Sequence, residues 1–153
     1  MPRRTHLILL LPLLLCACGP LRVAPTNPTG VNKQECQAIL KALPDKLDGQ
    51  SRVATSGSAY AVAWGDPPVV LRCGVPRPTD FDETLGCQGA NGIMWFVPSR
   101  VIDDQDSDVL MTSIGRSTNV EVLIPAKRRP PADEMVDIGS VLAKTTTRVG
   151  GCA

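Results

Sequence analysis

The chain has 153 residues, with 16 basic and 15 acidic side chains, two tryptophans, one tyrosine, two phenylalanines and one histidine. A balance so close to neutrality lacks the basic face that nucleic acid requires. The histidine is His6, in the leader, so the rest of the chain offers no Ser-His-Asp or Cys-His centre and no histidine-ligated zinc.

Arg3 and Arg4 precede an apolar run from Leu7 to Leu15 that Pro12 interrupts. This run falls short of the roughly 20 residues that cross a bilayer. A basic start, a short apolar stretch and small residues after it mark an export signal. The residues that follow Arg3-Arg4 fit a twin-arginine signal poorly, which favours ordinary secretion. Leu15-Cys16-Ala17-Cys18-Gly19 resembles the bacterial lipoprotein signal, in which a small residue precedes a cysteine that is lipidated and becomes the new N-terminus. Cys18 follows the small Ala17, whereas Cys16 follows the bulky Leu15, so residues 1–17 are expected to be removed and Cys18 to carry the lipid. A plain cleavable signal is the alternative. Without Arg3 and Arg4 the balance becomes 14 basic against 15 acidic side chains.

Residues 18–32 contain Pro, Gly, Thr and Asn without periodicity and are expected to form a flexible tether. Residues 33–153 are then one domain. Its first element is a helix over 33–43, with Cys36, Ile39, Leu40 and Leu43 on one face. Asn32 and Glu35 have capping-box spacing before it, and Pro44 stops it. Ala59 to Trp64 alternates, with Tyr60, Val62 and Trp64 on one side and alanines on the other. Gly65-Asp66-Pro67-Pro68 turns the chain into a second strand, where Val69, Leu71 and Cys73 share a face opposite Arg72.

A loop follows over 74–92. Ile93 to Val97 is apolar on both faces and reads as a central strand. Residues 109–115 and 119–124 read as an antiparallel pair. Pro130-Pro131-Ala132-Asp133-Glu134 opens a closing helix, with prolines and acids where a helix N-terminus favours them. Met135, Ile138, Val141 and Leu142 supply its apolar stripe. The expected fold is α+β: an antiparallel sheet of about five strands, with the N- and C-terminal helices packed on one face.

After Cys18 the chain carries Cys36, Cys73, Cys87 and Cys152, an even set without a C-x-x-C pair, which favours structural disulfides over a redox or zinc site. Four cysteines allow three pairings. Cys36 and Cys73 both point at the core, so a helix-to-sheet bridge between them is preferred, leaving Cys87 with Cys152. Cys73–Cys87 with Cys36–Cys152 is the alternative.

Candidate chemistry is sparse. Asp104, Asp106 and Asp108 alternate as calcium ligands do, but the glycine and closing glutamate of an EF-hand loop are missing. Ser140 and Lys144 are four apart on one helix, outside any S-x-x-K motif. Trp64 and Trp95 define a candidate ligand face, against core packing as the simpler role. Lys127-Arg128-Arg129 could meet anionic headgroups or cell-wall polymer, or lie in an exposed loop. No cofactor and no metal is expected.

The run Ala61 to Pro76, with WGDPPVVLRCGV at its centre, resembles the hallmark of an uncharacterised family of actinobacterial secreted proteins and lipoproteins. Cys36 to Asp45, Asn91-Gly92 before Trp95, and Asn119 to Val122 before Pro125 fit as well. The resemblance implies an exported domain of unknown function and supplies no catalytic residues. The expected function is therefore a non-enzymatic envelope lipoprotein. It would be anchored to the membrane through Cys18, outside the cytoplasm, and would bind or scaffold an envelope protein or cell-wall component. A small-molecule or lipid-binding module is the alternative.

Overall fold

The computed structural model describes residues 19–82 and 87–152. In chain order they form β1 (Leu21–Arg22), α1 (Gly30–Ala42), β2 (Lys46–Leu47), β3 (Gln50–Val53), β4 (Thr55–Ser56), β5 (Ala61–Trp64) and β6 (Val69–Cys73). Then come β7 (Gln88–Ala90), β8 (Ile93–Phe96), α2 (Ser99–Asp103), β9 (Val109–Ile114), β10 (Val120–Ile124), a 3-10 turn (Ala126–Arg128) and α3 (Ala132–Thr145). Eight strands make one antiparallel sheet in the order β2-β3-β5-β6-β10-β9-β8-β7. β1 and β4 form a separate parallel pair.

The fold is α+β, and its sheet has eight strands rather than about five. The five expected runs are present as β5, β6, β8, β9 and β10. β2, β3 and β7 went unread because they are short and largely polar; Gln50–Val53 is exposed along its whole length. β8 is not central but next to the edge. It is apolar on both faces because Phe81, from the preceding loop, packs edge-on against Phe96 with ring centroids 5.3 Å apart.

Register sorts the side chains into two faces. Val62, Leu71, Val122 and Met111 form a row across β5, β6, β10 and β9, all of it buried. This inner face also carries Trp64, Val69, Cys73, Val120, Ile124 and Trp95, and Ile39 from α1 with Ile138 and Leu142 from α3 joins the same core. Each large side chain buried here contributes about 1.5–3 kcal/mol. The helices also contact each other, and α3 lies against β7 and β8.

Two devices attach α1 to the sheet. A disulfide of 2.06 Å joins Cys36 to Cys73 on β6. Arg52, from β3, donates to the carbonyls of Leu40, Leu43 and Pro44 at the helix's C-terminal end, while Trp64 Nε1 donates to Pro44 O at 3.0 Å. Cys87 and Cys152, with Cα atoms 6.0 Å apart, are also bridged, tying the C-terminal segment to the start of β7.

Two local expectations are overturned. The helix starts at Gly30 rather than 33, with Thr29 as N-cap, so Asn32 and Glu35 do not form a capping box. Glu35 instead accepts hydrogen bonds from Ser117 and Thr118 in the β9–β10 turn, at 2.7 and 2.5 Å. The expected tether is also built into the domain from Leu21 onward. Leu21 N–H donates to Ala54 O and Val23 N–H to Ser56 O, both at 2.8 Å. Thr26 Oγ1 donates to Cys73 O at 2.6 Å, and Pro28 is buried beside Gly74. Short polar segments of this kind gain order from backbone bonds to a neighbour, which periodicity does not register.

Residues 1–17 and Cys18 lie outside the described residues. Among those described, no helix is long and apolar enough to cross a membrane.

The Cys36–Cys73 bridge closes a separation of 37 residues. Replacing both cysteines by alanine is expected to cost about 2–5 kcal/mol, measured as a lower urea midpoint, with a steeper slope because the unfolded chain loses a cross-link and exposes more surface.

Candidate functional site

The two tryptophans do not make a ligand face. Both are fully buried on the inner, helix-covered side of the sheet. Trp64 is fixed by Pro44 O and by the Arg52 guanidinium above its ring. Trp95 lies within the same core. The aromatic spacing was legible; the side of the sheet that remains open was not.

The open side is the reverse face. Its residues alternate with the core set: Ala63, Val70, Leu123 and Leu110 form one row, and Ala61, Arg72, Glu121 and Thr112 the next. Leu110 and Leu123 are 37% and 36% exposed, although an outward strand position usually carries a polar side chain. Segment 21–27 forms one wall along this face. Pro67 and Pro68 with the stretch 125–127 border one end, and Pro76 to Asp80 with Pro98 and Arg100 border the other. The result is a trough of two hollows, of about 970 and 500 Å³, that meet over Arg72, Leu110 and Glu121. Arg72 Nε donates to Glu121 Oε1 at 2.9 Å, and Nη2 donates to the same oxygen. The sequence signal for this trough was available as apolar Val70, Leu110 and Leu123 at outward positions, but it only becomes readable once register is known.

The other candidates are occupied by structural tasks. Asp104 accepts from Ser107 Oγ and from Asp106 N–H, and these bonds, the Ser107 one foremost, keep its carboxyl below the ordinary aspartate value. Asp108 Oδ1 accepts from Ala126 N–H at 2.9 Å. The acidic loop is therefore closed by its own turn and by Arg129, which donates to the carbonyls of Val101, Asp104 and Ser107. Ser140 Oγ donates to Val136 O and receives Asn91 Nδ2, so its bonds run along and across the helix surface rather than to Lys144. Of the basic run, Arg129 is committed to that loop and Arg128 donates to Asp48 at 3.1 Å. Lys127 alone is exposed, at the border of the trough.

Arg128 also stands 3.7 Å from Glu134 Oε1. Glu134 is 1% exposed at the start of α3, and that oxygen has no hydrogen-bond partner among the described residues. Burial raises its carboxyl above the ordinary value of 4.5, with Asp48 and Asp133 adding to the rise and Arg128 opposing it.

A family model described as "Protein of unknown function (DUF3515)" matches residues 7–149. The chain belongs to this family. Its DUF3515 domain spans every described strand and helix, hence the whole trough and the Cys36–Cys73 bridge, while Cys152 lies beyond the match. No curated protein and no solved structure matches the chain.

A carboxyl whose pKa is raised on folding binds its proton more tightly in the folded state. Its contribution to stability is therefore most favourable below about 4.5 and declines as pH rises through the raised value. Glu134→Gln removes that titration. The stability of the variant relative to the parent is expected to increase between pH 4 and pH 7, measured by urea unfolding at both values.

Proposed function

We propose that this protein is a non-enzymatic binding module of the cell envelope, exported, anchored through a lipid on Cys18, and engaging another envelope component with the uncovered face of its sheet. The observation that carries the binding reading is the trough: a connected concave surface with exposed Leu110 and Leu123 at its floor, on the side of the sheet opposite the helices. Contiguous exposed apolar surface with a polar rim is the ordinary mark of a recognition site. The Ala61–Pro76 stretch supports placement among actinobacterial lipoproteins by resemblance, and the signal-like residues before Cys18 support the anchor.

Two outcomes are expected. Intact-mass measurement of the membrane-extracted protein should find diacylglyceryl on Cys18, and Cys18→Ser should release the chain from the membrane fraction. A photo-crosslinking residue placed at Leu110 or Leu123 in intact cells should yield discrete adducts. The same residue at Val136, exposed on α3, should yield none; equal adducts from both faces would remove the assignment of the trough.

A further inference from the structure

Val70, Leu123 and Leu110 stand side by side in one register row across β6, β10 and β9, and all three line the larger hollow. The next row, two residues along each strand, is Arg72, Glu121 and Thr112. The charged pair therefore lies about 7 Å along the strands from the apolar row, and its two members are bonded to each other. The wall beside this floor is Leu21 to Ala24. It is pressed onto the body of the domain: a side chain at Gly57 would meet Val23 O at 2.6 Å. Only Gly19 and Pro20 separate that wall from Cys18, at most about 10 Å of chain. We infer that the larger hollow takes an acyl chain of a phospholipid from the leaflet that holds Cys18. This occupant presupposes the anchored binding module proposed above and gives it a ligand class.

Position and chemistry both favour it. The headgroup layer of a leaflet is about 5–7 Å deep, so a lipid on Cys18 would hold the wall of the hollow within one or two such depths of the hydrocarbon. The most abundant apolar ligand there is an acyl chain. A chain that moves from the leaflet onto Val70, Leu110 and Leu123 exchanges one apolar surrounding for another. The transfer is close to neutral for the chain itself, and the net gain is the floor surface removed from water. The lipid on Cys18 is the poorer occupant. Withdrawing one of its two chains would leave a single-chain attachment, which holds a protein to a membrane only marginally. The rim carries exposed Arg22 and Lys127 together with exposed Asp66 and Asp108. With both signs equally present, the rim selects the chain and not the charge of the headgroup.

The test uses the full-length chain as processed by an exporting host and held in nanodiscs. The nanodiscs are doped with a phosphatidylglycerol that carries a diazirine midway along one acyl chain. Illumination followed by peptide mass mapping should place the added lipid on β9 and β10. Leu123→Arg should lower that labelling about tenfold, and Leu110→Arg should do the same from a second position, with circular dichroism showing both variants folded. Val136→Arg, on α3, should leave it unchanged. A phosphatidylcholine probe with the same chain should label equally. The acyl ligand is overturned if β9 and β10 stay unlabelled, which is also the result expected if the chains on Cys18 filled the hollow. It is overturned too if labelling ignores both arginine variants or follows headgroup charge. Protein adducts from Leu110 and Leu123 in cells, without labelling by lipid, would sink the acyl ligand and keep the binding reading. Labelling of a chain that joins nanodiscs although its Cys18 is unmodified would support the acyl ligand and sink the anchor.

Discussion

Side chains in a strand alternate, so fixing the direction of one residue fixes all the others, and the bond between Cys36 and Cys73 does this for the centre of the sheet. With Cys73 covalently held against α1, Leu71 and Val69 must face the helices and Arg72 and Val70 must face away. Pairing with β10 carries the choice outward: Val122 and Val120 go in, Glu121 and Leu123 go out. A slip of one residue in β6 would bury Arg72 and expose Leu71. The Arg72–Glu121 pair and the leucines of the open face are thus the obligatory reverse side of the core.

The rest of the molecule protects that arrangement at its edges. Arg52 binds three carbonyls where α1 ends, replacing partners that a helix C-terminus lacks. Arg116 does the same for α3, donating to Leu142 O, Thr146 O and Thr146 Oγ1, and Arg129 closes the loop after α2. Arginine suits this task because its planar fork can donate to several carbonyls at once. Much of the basic character in the sequence is therefore internal scaffolding. A charge count could not have shown that, since it treats Arg128 and Arg129 like the exposed Lys127.

The sequence made the hydrophobic skeleton legible and left the polar segments dark. The alternation in 59–64, 69–73 and 109–124 and the helical stripes of 33–43 and 132–145 reflect burial, which leaves a periodic imprint. β1, β3 and β4 owe their place to backbone hydrogen bonds, which almost any side chain permits, so composition suggested a loose linker where Leu21 to Pro28 is packed. Trp64 and Trp95 illustrate a different limit. Alternation shows that two residues share a face, but whether helices or solvent cover that face depends on contacts distant in sequence. The trough stayed invisible for the same reason: Leu110 and Leu123 look like core residues until Met111 and Val122 are seen to occupy the core.

The hydrogen bond from Leu21 N–H to Ala54 O has one more effect. With an acyl group on Cys18, only Gly19 and Pro20 would separate the lipid-bearing residue from the folded body, a leash of roughly 10 Å at full extension. A domain on so short a leash cannot roam through the volume above the leaflet. It would diffuse with the lipid in two dimensions, and a partner in the same membrane would meet it at a local concentration far above the bulk value. A weak recognition surface would then be sufficient in the cell, and its affinity measured in free solution would understate its occupancy there.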